Sequence, residues 1–293
     1  MTTPSPLSAA VPERAPECGP EVTVITTCKG RLAHLQQSLP RLAACPGLPL
    51  ILVDYDCPEA CGPWASRDCP AVQVVRAAPG TPTFSIARAR NLGAAQARTR
   101  WLAFVDADTL VAPSFAEELK AAQQPGHFYL AAPGQDDLAG FLVCERAAFL
   151  QVGGYDEVFE GWGSEDRDMA LRLERLGQHR SLFQGTGLAA LPHDDLQRSR
   201  YHRVTDRFLS LRINGMYLQI KHDLARLTGL IDLPAPDREA LYQRIQRQVL
   251  ANPGAPCDID ALLPARCDFK QPPGWRLKRS IRYRFAPQDV PPP

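Results

Sequence analysis

Residues 101–108 have the sequence Trp-Leu-Ala-Phe-Val-Asp-Ala-Asp, a continuous apolar run that ends in two acidic residues. Such a run is typical of a strand that is buried on both faces of a parallel sheet. Three further short apolar runs come before it, at residues 22–26, 48–53 and 71–75. Because stretches with helical spacing separate these runs, the sequence predicts an α/β fold with a mostly parallel, Rossmann-like sheet flanked by helices.

The predicted helices follow from apolar residues three or four positions apart. Leu32, Leu35 and Leu39 show this spacing, and Pro40 is expected to stop or kink their helix. Ser164 is expected to cap a helix that runs to Leu176. The remaining elements are predicted as helices at residues 85–97, 201–230 and 237–250 and as strands at residues 128–132 and 140–143.

Composition limits the classes of function. The chain has 293 residues, 45% hydrophobic and 22% charged, as in ordinary globular proteins. Its 33 basic residues oppose 32 acidic ones, and this balance argues against nucleic acid as the main partner. The sequence contains no apolar run of about 20 residues, the length that a membrane-spanning helix needs. Residues 1–20 do not resemble a secretory signal, so we expect a cytoplasmic location.

Nine cysteines are scattered along the chain without a regular framework, and most are expected to be small buried residues. Cys57, Cys61 and Cys69 are close enough in sequence to raise the question of a zinc site. Their spacing lacks the usual Cys-x-x-Cys pairs and no histidine lies between them, so the sequence does not favour such a site.

Polar residues follow the predicted strands. The carboxyl ends of parallel strands meet at one edge of the sheet, where ligands bind. Asp106 and Asp108, two positions apart after a buried strand, can approach one divalent cation if the chain turns there. Aspartates are also common in turns, so a turn without a metal is an equal alternative. Thr26, Thr27 and Asp54 are expected at the same edge.

A second cluster, residues 159–168, combines glycines, an aromatic residue and acids. Gly163 lets the backbone approach a ligand, and the indole of Trp162 offers a flat apolar surface for a sugar ring. Glu165 and Asp166 fall in the first turn of a predicted helix, where acids can also serve only to complement the helix dipole. That alternative does not explain a tryptophan in a surface loop.

Among the basic residues, His193 follows an apolar stretch predicted as a strand, and His202 is its nearest rival as a metal ligand. Arg88 and Asn91 lie three residues apart on a predicted helix and form a face that can meet a diphosphate. We expect the other arginines of this region, Arg90 and Arg98, to lie on a solvated helix face.

The order of these motifs resembles that of glycosyltransferases of the GT-A fold, over about residues 21–200. The likeness is closest to family 2 enzymes and to the C-terminal galactosyltransferase-type module of β-1,4-galactosyltransferases and chondroitin-polymerase-like proteins. The residues that carry it are, in order, 26–31, Asp54, 89–93, Asp106, Asp108, 153–156 and 161–166.

The resemblance implies a nucleotide-sugar donor, most often a UDP-sugar, and a glycan, lipid-linked or small-molecule acceptor. It implies a metal site for Mn²⁺, or Mg²⁺, formed by Asp106, Asp108 and His193. Of the donor-binding residues, Asp54 would contact the nucleobase. The full donor set that it implies is Thr26, Thr27, Arg31, Asp54, Arg88, Asn91 and Asp106.

For the chemistry, the resemblance implies that Asp166 is the general base of a single inverting displacement and that Glu165 orients hydroxyl groups. Trp162 and Gly163 would contact the acceptor and the sugar. Two alternatives stay open: a retaining GT-A enzyme, since polypeptide N-acetylgalactosaminyltransferases have a related motif, and a nucleotide-binding protein of this fold without turnover.

The sequence departs from the family pattern at two positions. Ser164 replaces a glycine that is common in the galactosyltransferase motif, and Arg167 replaces an acid that often follows Asp166. These departures concern the acceptor and the exact sugar more than the type of reaction.

Three parts of the chain are expected. They are a disordered tail at 1–20, a GT-A domain at 21–200 (nucleotide-sugar half 21–125, acceptor and catalytic half 126–200) and a helical C-terminal extension at 201–293 with a basic tail. Within the tail, residues 275–285 combine five cations with aromatic and aliphatic residues. They can contact an anionic membrane surface peripherally, at its inner face, but an edge strand is the favoured interpretation.

Overall fold

The computed structural model describes residues 21–132, 136–185, 187–192, 199–263, 273–274 and 278–286. Its strands are β1 (Val22–Cys28), β2 (Leu50–Asp54), β3 (Gln73–Arg76), β4 (Trp101–Phe104), β5 (Thr109–Val111), β6 (His127–Leu130), β7 (Leu142–Glu145), β8 (His179–Leu182), β9 (Leu188–Ala190), β10 (Cys257–Leu262) and β11 (Ser280–Phe285). Its helices are α1 (Leu32–Ala43), α2 (Cys61–Asp68), α3 (Ile86–Gln96), α4 (Phe115–Ala121), α5 (Arg146–Gln151), α6 (Glu165–Arg175), α7 (Arg207–Thr228) and α8 (Ala235–Ala251). The predicted tail at 1–20, His193 and residues 275–277 lie outside the described residues.

A seven-stranded sheet forms the centre of the fold, in the order β3-β2-β1-β4-β7-β6-β8. β1 pairs parallel to β2 and to β4, β2 pairs parallel to β3, and β6 pairs parallel to β8. Strand β7 alone runs antiparallel to its neighbours within this sheet, β4 and β6. The predicted α/β fold with a mostly parallel sheet is therefore confirmed.

Helices cover both faces of this sheet, which explains why its inner strands are apolar without alternation. Every residue of β1 and β2 is buried. One apolar cluster packs α1, α2 and α4 on the first face, and a second packs α3, α5 and α6 on the other. Helix α3 lies unusually close to the sheet because Gly93 has no side chain, and a Cβ there would collide with Ile25 of β1.

The prediction that Pro40 ends or kinks the first helix is wrong in its boundary, because α1 continues through Pro40 to Ala43. Proline has no N–H and so removes one hydrogen bond of the helix. Leu39 and Leu42 are nevertheless fully buried, and the Ala44 amide donates to the Pro40 carbonyl at 3.0 Å. Packing on the sheet and this last bond hold the final turn in place.

The C-terminal part consists of α7, α8 and a hairpin of β10 and β11, around a third apolar cluster. The two long helices occur where the sequence predicts helices. The edge-strand interpretation of the basic stretch is confirmed for Ser280–Phe285, which pairs antiparallel with β10. The extension is therefore helical with an added hairpin, and not helical throughout.

No helix among the described residues is both long enough and apolar enough to cross a bilayer.

Candidate active site

A cavity of about 330 Å³ opens at the carboxyl edge of the sheet. One wall comes from the end of β1 and the loop after β4, and it carries Thr27, Arg31, Asp106 and Asp108. The opposite wall is the glycine-rich loop before α6, at residues 161–167. Parallel strands place their carboxyl ends together, so this is the edge at which the sequence predicts a ligand.

The two acids after β4 both line the cavity. The Thr109 amide donates to the Asp106 carbonyl at 3.0 Å, so the chain does turn here, and the turn aims both side chains at one space. Asp108 is buried and its Oδ2 lies 2.7 Å from Nη1 of Arg31. The turn itself brings the two carboxylates to one space. A turn and a cation site, the two interpretations of this sequence, therefore do not exclude each other.

Arg90 connects the two walls, and here the expectation of a solvated side chain is wrong. Its side chain is only 2% exposed. Nη1 donates to Asp166 at 2.5 Å and Nη2 donates to Asp106 at 2.9 Å. A guanidinium has a rigid, planar set of donors, so it can hold two carboxylates at a fixed separation. Arg98, in contrast, is exposed as predicted.

Glu165 and Asp166 lie side by side at the start of α6 and face the cavity. Burial and, to a smaller extent, the neighbouring charge of Asp166 together raise the pKa of Glu165 to about 8. Burial also raises the pKa of Asp166 above its ordinary value, while Arg90 opposes that shift. Two neighbouring carboxylates repel each other when both are ionised, so one acid of such a pair keeps its proton to a higher pH. This pair therefore favours a neutral Glu165 beside an ionised Asp166.

Helix α7 holds the glycine-rich loop in shape. The side-chain amide of Asn214 donates to three of its carbonyl groups, at Glu160 (3.0 Å), Trp162 (3.2 Å) and Gly163 (2.9 Å). The Trp162 amide donates to Oγ of Ser210 at 2.7 Å. These bonds satisfy backbone groups that the loop itself cannot pair. This wall of the cavity is therefore built by two segments far apart in sequence.

The indole of Trp162 is half-buried, and the guanidinium of Arg207 lies over its ring at 4.0 Å from the centroid. This is a cation–π contact, and it covers one face of the indole. The first residue before α6, Ser164, has a φ of 80° and makes no side-chain cap. The prediction that Ser164 caps the helix with its hydroxyl is wrong, and its left-handed backbone explains why related sequences place glycine here.

A buried ionic network fixes α6 against α7. Asp168 is fully buried and accepts from Arg172 (2.8 Å), from Lys221 (2.7 Å) and, at 2.8 Å, contacts Nε2 of His222. Burial alone would raise the pKa of Asp168, but these three cations and donors hold it well below its ordinary range. The helix that carries Glu165 and Asp166 is thus anchored one turn below them.

Four of the predicted donor residues do not line the cavity. They are Thr26, Asp54, Arg88 and Asn91. Asp54 is buried and accepts from the amides of Cys57 (2.9 Å) and Gly62 (3.2 Å). Thr26 is buried beside Thr27, and its hydroxyl has no hydrogen-bond partner among the described residues. Their contact with a nucleotide stays a prediction.

Arg88 and Asn91 contact residues 155–157, which precede the glycine-rich loop. Arg88 is mostly exposed and lies 3.5 Å from Glu157. Asn91 donates to the carbonyl of Tyr155 at 2.9 Å and accepts from its amide at 2.8 Å. Both therefore join α3 to residues 155–157, and their predicted role toward the nucleotide is likewise untested.

The two histidines considered as metal ligands, His193 and His202, differ in what the structure describes of them. His193 is outside the described residues. The Leu191 amide donates to the Asp108 carbonyl at 2.7 Å. Two residues before position 193, the chain therefore passes directly beside residues 106–108, which we call the acidic triplet. His202 lines the cavity itself. Both remain candidates for the third ligand of a metal.

Among the lining residues to which the sequence analysis assigns no role are Lys29 and Tyr201. Lys29 is buried, and Nζ donates to the carbonyls of Tyr55 (3.1 Å) and Thr81 (2.7 Å) among others. The Tyr201 ring covers Gly30, whose φ of 67° and lack of a side chain allow that contact. Lys29 belongs to the segment 26–31 that the sequence analysis singles out, whereas Tyr201 lies far away in sequence.

Comparisons with known proteins identify glycosyltransferase segments in this chain. The model of glycosyl transferase family 2 matches residues 73–137, and the model described as the N-terminal domain of galactosyltransferase matches residues 126–198. No curated protein sequence is significantly similar to this chain.

Solved structures of the same fold are distant in sequence. The mannosyltransferase PcManGT from Pyrobaculum calidifontis, in complex with GDP-Man and Mn²⁺, superposes with a TM-score of 0.51 at 16% identity, over 81% of this chain and 77% of that chain. TarS residues 1–349 from S. aureus, in complex with UDP-GlcNAc, superposes with a TM-score of 0.55 at 13% identity, over 78% of this chain and 71% of that chain.

Proposed function

We propose that this chain, a glycosyltransferase of the GT-A type with family 2-like and galactosyltransferase-type segments, transfers a sugar from a UDP-sugar to an acceptor hydroxyl with inversion at the anomeric carbon. The observation that carries the proposal is the position of Asp166. Its carboxylate faces the cavity, its pKa is raised by burial, and Arg90 holds it across from Asp106.

On the donor side, the wall offers what a diphosphate requires. Arg31 and Arg90 bring positive charge to the cavity, and Thr27 brings a hydroxyl. Arginine binds phosphate oxygens through paired N–H donors. We assign the nucleoside to the neighbouring end of β1 and β2, where Thr26 and Asp54 lie. Arg88 and Asn91 complete the proposed donor set at the edge of α3.

The carboxylates fit a divalent cation that binds with the diphosphate. Asp106 and Asp108 line one space, and oxygen ligands suit Mg²⁺ and Mn²⁺. We add His193 as the third ligand, and a nitrogen ligand favours Mn²⁺ over Mg²⁺. When bound, such an ion stabilises the negative charge that develops on the diphosphate leaving group.

The chain's own residues supply the proton transfer. The acceptor hydroxyl loses its proton to Asp166 as its oxygen attacks the anomeric carbon, while the bond from that carbon to the diphosphate breaks. Glu165, neutral at ordinary pH, donates a hydrogen bond and so orients a sugar hydroxyl or Asp166 itself. One displacement with one base gives inversion. Arg90 keeps the base ionised and in place.

The acceptor reaches this base along the glycine-rich loop. Trp162 lines the cavity, with Arg207 over its indole ring. Gly163 lines it too, and its lack of a side chain lets the loop pack closely against Leu211 of α7. A glycan, a lipid-linked sugar or a small molecule with a sugar ring meets these requirements. The loop is fixed by Asn214 before any acceptor binds, so little ordering is needed on binding.

The test is a panel of nucleotide sugars incubated with Mn²⁺ and mixed acceptors. Released nucleotide and products are followed by mass spectrometry, and NMR of the anomeric proton gives the configuration of the product. We expect turnover with a UDP-sugar and inverted product stereochemistry. A retained configuration would remove Asp166 from the role of base, and binding of every donor without turnover or hydrolysis would favour a nucleotide-binding protein.

The variant Asp166→Asn is the sharper form of this test. The amide keeps the shape of the side chain but cannot accept the acceptor proton, so we expect transfer to fall about 10²–10⁴-fold while UDP binding changes little. Asp237→Asn, at an exposed position of α8, is the matched control and should transfer at the wild-type rate. Transfer by Asp166→Asn at the wild-type rate would exclude this base.

A further inference from the structure

Three cysteine thiols meet behind the donor wall. Cys28 is the last residue of β1, Cys57 lies in the loop after β2, and Cys61 is the first residue of α2. Their sulfur atoms all lie within 4.8 Å of one another, and all three are free thiols. Cys28 and Cys61 are buried, whereas Cys57 is half-buried and gives the cluster access to solvent.

The separation of these sulfurs is close to that in a metal thiolate site. With Zn–S bonds of about 2.3 Å and tetrahedral angles, bound sulfurs lie about 3.8 Å apart. The three thiols therefore need to approach by at most about 1 Å. A single disulfide would use two of them and leave the third without a role.

The surrounding backbone holds the three positions without a metal. Asp54 accepts from the amides of Cys57 (2.9 Å) and Gly62 (3.2 Å), and so fixes the loop on both sides of the cluster. The Gly30 amide donates to Sγ of Cys57 at 3.2 Å, the kind of bond that orients a thiolate ligand.

We propose that Cys28, Cys57 and Cys61 bind one thiophilic divalent ion, with Zn²⁺ as the ion that fits, and that its fourth position is taken by water. Binding releases the thiol protons to solvent as the three S–metal bonds form. The site differs from the acidic triplet, because thiolate ligands select softer ions than carboxylates do. None of the three thiols lines the catalytic cavity, so the ion fastens the end of β1 to the loop before α2.

The experiment uses the full chain, reduced and freed of metal, and titrates it with Co²⁺ as a spectroscopic probe. Thiolate coordination gives a sulfur-to-cobalt charge-transfer band in the near ultraviolet, which carboxylate ligands do not produce. We expect this band to saturate at one Co²⁺ per chain and to disappear when Zn²⁺ is added. The same titration at lower pH should require more metal, because the thiol protons compete.

Two variants locate the site. Cys57→Ser should weaken Co²⁺ binding by more than about 100-fold, since loss of a direct ligand costs more than loss of a supporting contact. Cys69→Ser, a buried cysteine at the end of α2 outside the cluster, should bind as the wild type does. Circular dichroism of the metal-free variants checks that both are folded, and Cys57→Ala replaces Cys57→Ser if the latter is not.

A wild-type protein without the charge-transfer band would overturn the proposal. A band that persists in Cys57→Ser or Cys57→Ala, or one that is lost in Cys69→Ser, would overturn it equally. Because the readout is spectroscopic, none of these outcomes depends on the donor, the acceptor or the activity of the enzyme.

Discussion

Arg90 is a buried cation that lies between two carboxylates of the cavity. Its guanidinium is buried, and it pairs with Asp166 on one side and Asp106 on the other. Removing a charge from such a group leaves its acidic partners uncompensated, which is costly in a site with little water. Arg90 therefore sets the distance between the two acids and opposes the rise in the pKa of Asp166 that burial causes.

The variant Arg90→Lys tests this at the residue scale. A lysine keeps the charge but has no rigid pair of donors, so it can hold only one of the two carboxylates at a time. We expect the transfer rate to fall about 100-fold, as for a displacement of about 1 Å in a catalytic group. Arg98→Lys, on the exposed end of the same region, should have no effect on steady-state rates.

From the raised pKa of Glu165 we expect the stability of the protein to depend on pH. Its pKa is raised from 4.5 to about 8 in the folded protein, so the folded state binds more protons than the unfolded state between these values. The free energy of unfolding should therefore decrease as the pH rises from about 4.5 to about 8. The stabilising contribution of the neutral form is complete below that range and absent above it.

Thermal unfolding of Glu165→Gln across this pH range provides the measurement. Glutamine copies the neutral acid, so the midpoint of the variant should fall less steeply with pH than that of the wild type. Glu117→Gln, at an exposed position of α4, should follow the wild type. Parallel curves for wild type and Glu165→Gln would mean that Glu165 is ionised in the folded protein at neutral pH.

At the scale of elements, α6 and α7 depend on each other through buried charges. Lys221 of α7 is fully buried and donates to Asp156 and Asp168, each at 2.7 Å. For Lys221→Met we expect the free energy of unfolding to drop by about 3–5 kcal/mol, because buried carboxylates lose their cation. Chemical denaturation measures this, and Lys120→Met, exposed on α4, should be neutral. A loss below about 1 kcal/mol would contradict a structural role for the network.

The predictability of these elements from sequence differs with their surroundings. Strands β2 and β4 are buried on both faces and are identified by a continuous apolar run, whereas β1 is identified by its β-branched residues. The reversed direction of β7 depends on which neighbours it finds in the sheet, and no local pattern encodes that choice. The end of α1 was missed because burial of Leu39 and Leu42 outweighs the local effect of Pro40.

The site shows the same contrast between local and distant information. Local motifs single out Glu165, Asp166 and the acidic triplet in the sequence, and the structure places them at one cavity. Arg90 was missed, although Ala87 and Gly93 lie three residues on either side of it, and a face of small residues indicates a side that packs on the sheet. The thiol cluster was missed because Cys28, distant in sequence, takes the place that spacing gives to Cys69.

At the scale of the whole molecule, the proposed metal site joins segments that are far apart in the chain. Strand β9 pairs with β5 directly after Asp108, and so brings the chain toward position 193 to the acidic triplet. Calorimetric titration of UDP with and without Mn²⁺ should show tighter binding with the metal, since the diphosphate supplies further ligands. Equal affinities would remove the metal from donor binding.

Substitution of single ligands identifies which histidine takes part. Asp108→Ala should nearly eliminate the effect of Mn²⁺ on UDP binding, and His193→Ala should weaken it. His202→Ala is the informative comparison, because His202 lines the same cavity. If His193→Ala binds as the wild type does and His202→Ala does not, the ligand is His202.

The three carbonyl groups held by Asn214 have a consequence for how this enzyme can diverge. The proposed acceptor wall takes its shape from one end of a helix outside the segments that carry the carboxylates. Substitutions at Ser210 and Asn214 can therefore reshape that wall, whereas Lys221, further along the same helix, anchors α6 and has to be kept. A library confined to positions 210 and 214 would explore new acceptors without first removing the support of the reacting groups.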